Sequence, residues 1–417
     1  MSVIHIQGLR CLKGKIDIQG SKNAVLPVMA ASLLHRGTVV ITNVPEIQDV
    51  ICMMGILEYL GCSCSLEDGC LTICTEQAAL SEIPGSLARR MRSSVMLLGP
   101  MLGRFGKAVT VHPGGCSIGK RPIDLHLYGL RALGAEIRVE GERISASTPG
   151  LLGGEVRFGY PSVGATENVL LAAVAARGTT VIEGAALEPE IETLCLFLKE
   201  LGADIAGIGT HTLTVSGSIP LHDASFAIPG DRIVAGTYLG AVMSAGGEVL
   251  LSGAPVRHME STLKLAKHMG AKLKIVPEGL IVSMEKRPAA ADFETGPYPG
   301  FSTDLQSVMM AVAATAEGTS HIRETVFENR FSTAKELQKM GAHIIIDGKT
   351  ARVDGVRPLG GGTVVAKDLR GGAALVVAGL ACAQETRVLG YEHINRGYED
   401  ICRDLKSAGA EITLKED

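Results

Sequence analysis

Apolar positions along this chain fall into two recurring patterns. One is an amphipathic helical stretch that runs up to a glycine followed by a small residue or cysteine. The other is a pair of short alternating segments just after it, as expected for half-buried strands. The six junctions are YLGCSCSLEDGCLTI, ALGAEIRVEGERISA, ELGADIAGIGTHTLTV, HMGAKLKIVPEGLIV, KMGAHIIIDGKTARV and SAGAEITLKED. Their glycines are Gly61, Gly134, Gly202, Gly270, Gly341 and Gly409, at successive spacings of 73, 68, 68, 71 and 68 residues. Near-equal periods of this length mark an internal repeat. Within each period a second, more apolar helix precedes a buried strand, as in TVVITNV, TTVIEGA, EVLLSGA, TSHIRET and TRVLGYE, so the repeating unit is β-α-β-α-β-β. Turns at Arg36-Gly37-Thr38, Arg177-Gly178-Thr179 and Glu317-Gly318-Thr319 end the apolar helices, where glycine takes a left-handed cap conformation. Glu67-Asp68-Gly69, Glu140-Gly141-Glu142 and Asp347-Gly348-Lys349 are hairpin turns.

A chain of 417 residues exceeds one ordinary core. Six units therefore predict two α/β domains of three repeats each. The N-terminal segment Val3–Ile18 reads as a hairpin that supplies the partner missing for Glu411–Leu414. Both termini then share one domain, residues 1–20 with 230–417, and residues 21–229 form an inserted domain carrying the loop around Cys116. The boundaries fall near Gly20–Ser21 and Pro229–Gly230.

Composition narrows the partners. Hydrophobic residues make up 46% of the chain, but no apolar run reaches the roughly 18 residues of a membrane helix. The N-terminus alternates like a strand and lacks a secretory pattern, so a cytoplasmic protein with no membrane partner is expected. A net charge of −4 argues against a general nucleic-acid binder, and any anionic ligand must be held by local cations. Ten cysteines, single or in apolar segments, predict reduced thiols. Cys62, Cys64, Cys70 and Cys74 have a C-x-C-x5-C-x3-C spacing that is not a standard zinc pattern and that alternation along two strands explains.

Chemistry concentrates at equivalent places in the repeat. The apolar helices open on Ser21-Lys22-Asn23, Arg92-Ser93-Ser94, Gly164-Ala165-Thr166, Asp231-Arg232, Ser302-Thr303-Asp304 and Asp368-Leu369-Arg370. Helix N-termini attract anions, and cations standing where carboxylates are usually favoured point to an anionic ligand. The loops after the buried strands carry Cys116, Glu188, Arg330 and Arg396. The segment HPGGCSIGKRPIDLH, residues 112–126, sets a thiol on a Gly-rich loop beside Lys120 and Arg121. Those cations favour thiolate and can grip an anion. The same segment also reads as a Gly-rich surface turn with an incidental cysteine.

The motifs SKNAVLP (21–27), MRSSVMLLGP (91–100), PGGCSIGKRPIDLH (113–126), PSVGATENVLLAA (161–173), GFSTDLQ (300–306), FENRF (327–331), DLRGGAALVVAG (368–379) and INRGYE (394–399) resemble the enolpyruvyl transferases. Within them the resemblance is to the branch whose acceptor is UDP-N-acetylglucosamine, and the cysteine loop is its specific part. The resemblance implies two inside-out α/β domains, each with three-fold pseudo-symmetry, and an active site in the inter-domain cleft. It also implies transfer of the enolpyruvyl group of phosphoenolpyruvate to the sugar 3′-hydroxyl with release of phosphate, in the first committed step of peptidoglycan precursor synthesis. No metal or organic cofactor is implied.

By resemblance Lys22, Arg121 and Arg396 hold phosphoenolpyruvate, with Asn23 adjacent and Arg92, Arg330 and Arg370 nearby. Cys116 is the acid and forms a thioether with the pyruvyl unit. Asp304 is the base or the orienting partner of the hydroxyl. Lys22 and Arg396 complete the catalytic set. Arg121, Pro122, Ile123, Asp124 and Leu125 meet the uracil end of the acceptor, with Arg92 assigned to the same substrate. Ser162, Val163 and Gly164 face the diphosphate, and Asp304 and Val326 face the sugar. Glu188, Arg330 and Asp368 support the site, and an epoxide of the fosfomycin type is the implied covalent inhibitor at Cys116. Three positions depart from the family pattern: Tyr160 for a lysine, Ser302 for a proline and Thr333 for a histidine. Two further readings stay open, a catalytically weak duplicate that acts as a UDP-sugar-binding regulator, and a transferase with a different acceptor.

Overall fold

The computed structural model describes residues 2–114, 118–119 and 121–416. They form two compact units, one of residues 2–19, 118–119 and 230–416, the other of residues 20–114 and 121–229. Ile118 and Gly119 thus group with the first unit, whereas the sequence reading gave their loop to the inserted one. The Asn329 N–H donates to the Ile118 carbonyl at 3.0 Å, which fastens the segment there.

The described strands build six sheets of one design. In each, the strand that follows an apolar helix pairs parallel on one side and antiparallel on the other; its parallel partner is the strand before that helix in some sheets, but Thr38–Thr42 takes Ala224–Ala227 and Gly247–Ser252 takes Leu12–Asp17. Thr179–Glu183, for example, pairs parallel with Glu155–Arg157 and antiparallel with Thr212–Ser216. The sheet built on Lys107–Val111 has three strands, its fourth reduced to a single parallel bridge between Glu82 and Val109. Strands show period-two burial, one face on the core and one toward solvent.

The apolar helices are inside. Arg232–Ala245 is buried from Ile233 to its end, and Leu369–Gly379 from Arg370 to its end, which matches helices that are apolar on every face. Each unit has its own core. Close approach of helices needs glycine at the crossing: a Cβ on Gly240 would lie 2.7 Å from Val308 Cγ1. The six junction glycines all have positive φ, from 84° at Gly409 to 103° at Gly202, a conformation that favours glycine and turns the chain from outer helix into hairpin.

One expectation needs correction. Val3–Ile18 is not a hairpin. Ser2–Gln7 pairs antiparallel with Glu411–Glu416 and Thr386–Leu389, while Leu12–Asp17 joins another sheet, parallel to Gly247–Ser252. Between them Leu9 has φ 60° and Gly8 sits against the Cys382 backbone, with no room for a Cβ, so the chain crosses from one sheet to the next. Among the described residues no helix is long and apolar enough to cross a membrane.

Candidate functional site

In the first unit the chemistry gathers at the start of two apolar helices. Asp304 lies on the turn Thr303–Leu305 that leads into Gln306–Ala314. Arg330 donates to its Oδ1, and Arg370 donates to Oδ2 from Nη2 at 3.0 Å and from Nε at 3.2 Å. The arginine side chains are only 3% and 4% exposed and the aspartate 26%. Burial alone would raise the Asp304 carboxyl. The Arg370 and Arg330 guanidiniums outweigh it, with Arg232 adding, and hold it well below the usual carboxylate range. Arg370, in turn, keeps its proton more firmly than an ordinary arginine despite burial, because Asp304 faces it. Two buried guanidiniums on one bridging carboxylate, with Arg232 nearby, form a basic cluster of the kind an anion binds, and Asp231 adds its carboxylate charge beside Arg370.

The supports are local. Asp368 caps Leu369–Gly379, its Oδ1 accepting the Arg370 and Gly371 N–H groups at 3.1 and 2.9 Å, so the cap fixes the backbone that carries Arg370. Tyr398, buried, meets Arg370 from the other side, its hydroxyl 3.5 Å from Nη1 and 2.8 Å from Thr237 Oγ1. Arg396 sits on a turn in which the Ile394 carbonyl accepts from both Gly397 and Tyr398 at 3.1 Å. The buried Glu324 accepts the Val326 and Phe327 N–H groups at 2.8 and 3.0 Å and the Thr303 hydroxyl at 3.0 Å, which places Val326 beside the Asp304 turn. Ser302, where the family pattern has a proline, caps the turn: its hydroxyl accepts the Asp304 N–H at 3.3 Å. Thr333 is buried beside Gly371.

The second unit repeats the arrangement. Lys22 opens Lys22–Ala31, its Nζ 2.8 Å from Asp49 Oδ2, and Asn23 follows it, half-buried. Arg92 opens the turn Arg92–Leu97 and donates to the carbonyls of Arg121 and Pro122, the latter at 3.2 Å. Its guanidinium therefore shapes the Arg121–Pro122 backbone. Burial and then Arg121 lower Arg92 to about 10, still charged near neutrality. Arg121, Pro122 and Asp124 are exposed and Leu125 is half-buried, but the Ile123 side chain is in the core, so only its backbone can face a ligand.

Behind that segment His126 is buried. Asn168 accepts the Gly99 N–H at Oδ1, 2.7 Å, and donates from Nδ2 to the Val95 carbonyl at 3.0 Å and to His126 Nδ1 at 3.1 Å. The fixed amide makes Nδ1 an acceptor and puts the imidazole proton on Nε2, which faces Gly164. Burial, then Arg92 and Arg121, push His126 down to about 3, so it is neutral. Ser162 caps Val163–Ala175 by accepting the Ala165 N–H, and the Val163 and Gly164 amides of that first turn have no partner within the helix. Tyr160 is 48% exposed. Glu188 precedes Pro189–Glu200, and with Glu190 it adds to the burial that drives the Glu167 carboxyl well above its ordinary range.

Cys116 and Lys120 lie outside the described residues. Nothing in the sequence pointed to Asp49 or Glu324 as partners, whereas Tyr398, in INRGYE, and Asn168, in PSVGATENVLLAA, lie inside the motifs. Cys62 and Cys64 flank the start of Ser63–Glu67, and burial lifts both thiols to about 12. Among the described residues no cluster of three or more His, Cys, Asp or Glu is arranged to hold a metal.

Residues 6–405 match the family of EPSP synthase (3-phosphoshikimate 1-carboxyvinyltransferase). A Caldanaerobacter subterraneus subsp. tengcongensis protein named UDP-N-acetylglucosamine 1-carboxyvinyltransferase 2 is 46% identical over 99% of both chains. The same organism's UDP-N-acetylglucosamine 1-carboxyvinyltransferase 1 is 44% identical over 97% of each. Among solved structures, the enolpyruvyl transferase NikO from Streptomyces tendae matches with a TM-score of 0.89 at 25% identity over 99% of each chain. EPSP synthase from Acinetobacter baumannii, at 20% identity and a TM-score of 0.76 over all of both chains, shares the fold. With that fold, that match and those identities over nearly its whole length, the chain belongs to the enolpyruvyl transferase family, which includes EPSP synthase and the UDP-N-acetylglucosamine 1-carboxyvinyltransferases.

Proposed function

We propose that the protein transfers the enolpyruvyl group of phosphoenolpyruvate to the 3′-hydroxyl of UDP-N-acetylglucosamine and releases phosphate, beginning peptidoglycan precursor synthesis in the cytoplasm. The observation that carries this reading is Asp304 bridged by two buried guanidiniums. A phosphate and a carboxylate on one small donor suit such a basic cluster, because guanidinium forks bind both groups in two-point fashion.

In the addition step the sugar oxygen bonds to C2 of the donor while the methylene C3 gains a proton and becomes a methyl. In the elimination step that methyl loses a proton, the double bond reforms and phosphate leaves. Lys22, Asn23, Arg121, Arg370 and Arg396 hold the donor. Asp304 faces the hydroxyl, and Cys116 supplies the proton to C3 and can bond to the pyruvyl unit as a thioether. Held by Arg370 and Arg330, Asp304 is strongly acidified and so a weak proton acceptor. A donor anion that draws on Arg370 and Arg330 raises its basicity at the moment the hydroxyl must be deprotonated. The Val163 and Gly164 amides suit the diphosphate, and the exposed Arg121, Pro122 and Asp124 suit the uracil end, with Val326 near the sugar.

The test is phosphate release from phosphoenolpyruvate with and without UDP-N-acetylglucosamine. Acceptor-dependent release is expected. A folded protein that binds the UDP-sugar without turnover would overturn the reading in favour of a regulator. The C116S protein is expected to resist alkylation by fosfomycin, followed by intact mass, and labelling that persists in C116S would remove Cys116 as the reactive thiol.

A further inference from the structure

We propose that Gln19 is a positioning residue for Arg396: its side-chain amide locks the turn from which Arg396 reaches the donor anion. Gln19 is 9% exposed, and both ends of its amide are used on that turn. Nε2 donates to the Gly397 carbonyl at 3.2 Å, and Oε1 accepts the Glu399 N–H at 2.9 Å. Its own carbonyl accepts the N–H of Asp231, the cap of Arg232–Ala245, at 2.9 Å. Gln19 thereby ties the residues just after Arg396 to the helix start that carries Arg232. On its other side the turn is pressed against the helix of Arg370, since a Cβ on Gly397 would come 2.7 Å from Leu369 Cδ2.

An arginine side chain is long and flexible, so where its guanidinium can settle depends on how firmly its backbone is held. Removing the amide leaves a backbone carbonyl and a backbone N–H to find new partners, and the turn must move to do so. A displacement of about 1 Å at a binding group is enough to cost up to roughly a hundredfold in rate. The side chain of Gln19 touches backbone alone in these contacts, so its effect on the reaction passes through Arg396. The inference rests on the reading that Arg396 holds phosphoenolpyruvate.

Steady-state kinetics on the full-length Q19L, Q19E, R396K and Q19L/R396K proteins test it, with melting temperatures as a check on folding. Q19L is expected to raise the KM for phosphoenolpyruvate about tenfold and to leave the Kd for UDP-N-acetylglucosamine within twofold. On top of R396K it should raise that KM no further, because the residue it positions is already changed. Q19E keeps the acceptor but turns the donor into a second oxygen facing the Gly397 carbonyl. Its KM should be high at pH 8 and fall toward the wild-type value at pH 6, where a carboxyl made less acidic by burial regains a proton. Q19L should show no such recovery. A KM for Q19L within twofold of wild type, or full multiplication of the two effects in the double variant, overturns the proposal. If R396K itself leaves the KM unchanged, the role of Arg396 falls and this inference with it; if R396K raises it and Q19L does not, only the role of Gln19 falls.

Discussion

A carboxylate bridged by two buried guanidiniums releases its proton readily and takes one back reluctantly, and this sets what Asp304 does at each pH. Its pKa in the folded protein is below the ordinary aspartate value of about 4. The stabilisation it gives is therefore complete above about pH 4 and is lost as pH falls through the folded value. D304N, equal in size but uncharged, should lower kcat by roughly 10²–10⁴-fold. It should also flatten the loss of stability below pH 4, read from urea unfolding at a series of pH values. His126 has the opposite chemistry and the same direction. Its folded pKa of about 3 lies below an unfolded value near 6.5, so the unfolded chain binds the proton first and stability declines as pH drops between those values. H126Q should remove that decline while leaving stability above pH 7 nearly unchanged. Lys22, Asp304 and Arg370 were legible as chemistry because each stands at a helix opening in a repeated unit. Their partners were not: Asp49 lies 27 residues beyond Lys22 in sequence, and the fold alone brings it to 2.8 Å.

Elements explain why the openings are reliable. Five of the six apolar helices, or the short turns that lead into them, follow a Ser or Asp residue, and at four of these its side chain accepts first-turn amides. Asp368 is such a cap, and it also sets Arg370. D368A should cost about 1 kcal/mol of stability, as lost caps do, and in addition raise the KM for phosphoenolpyruvate, because the backbone of Arg370 loses its anchor. A loss of stability with an unchanged KM would make Asp368 a cap and nothing more. The repeat made these elements readable, since each junction glycine marks the same turn. The N-terminal pair escaped because alternation shows that a segment is a strand and not which sheet it joins. The left-handed Leu9 that separates the two strands carries no strong sequence signal, being neither Gly nor Asn.

At the scale of the whole molecule, both units close by borrowing a strand from far along the chain. In one, Ser2–Gln7 lies between Thr386–Leu389 and Glu411–Glu416. In the other, Ala224–Ala227 pairs parallel with Thr38–Thr42. A closed set of three sheets around apolar helices leaves no independently stable end, so damage to a closing strand should spread through its own unit. Ile6 tests this. It is fully buried, sits opposite Ile412 and Thr386, and approaches the Leu369–Gly379 helix so closely that a Cβ on Gly379 would be 2.9 Å from its Cδ1. I6A should cost about 3 kcal/mol, the middle of the range for large-to-small core changes. Amide exchange should accelerate at Thr386–Leu389 and Glu411–Glu416, on both sides of the weakened strand. Exchange at Thr38–Thr42 and Ala224–Ala227 should stay at the wild-type rate, because those strands close a separate core. Acceleration there to the same degree would mean that the two units open as one cooperative body, and the strand-borrowing closure would then stabilise the whole chain rather than each half.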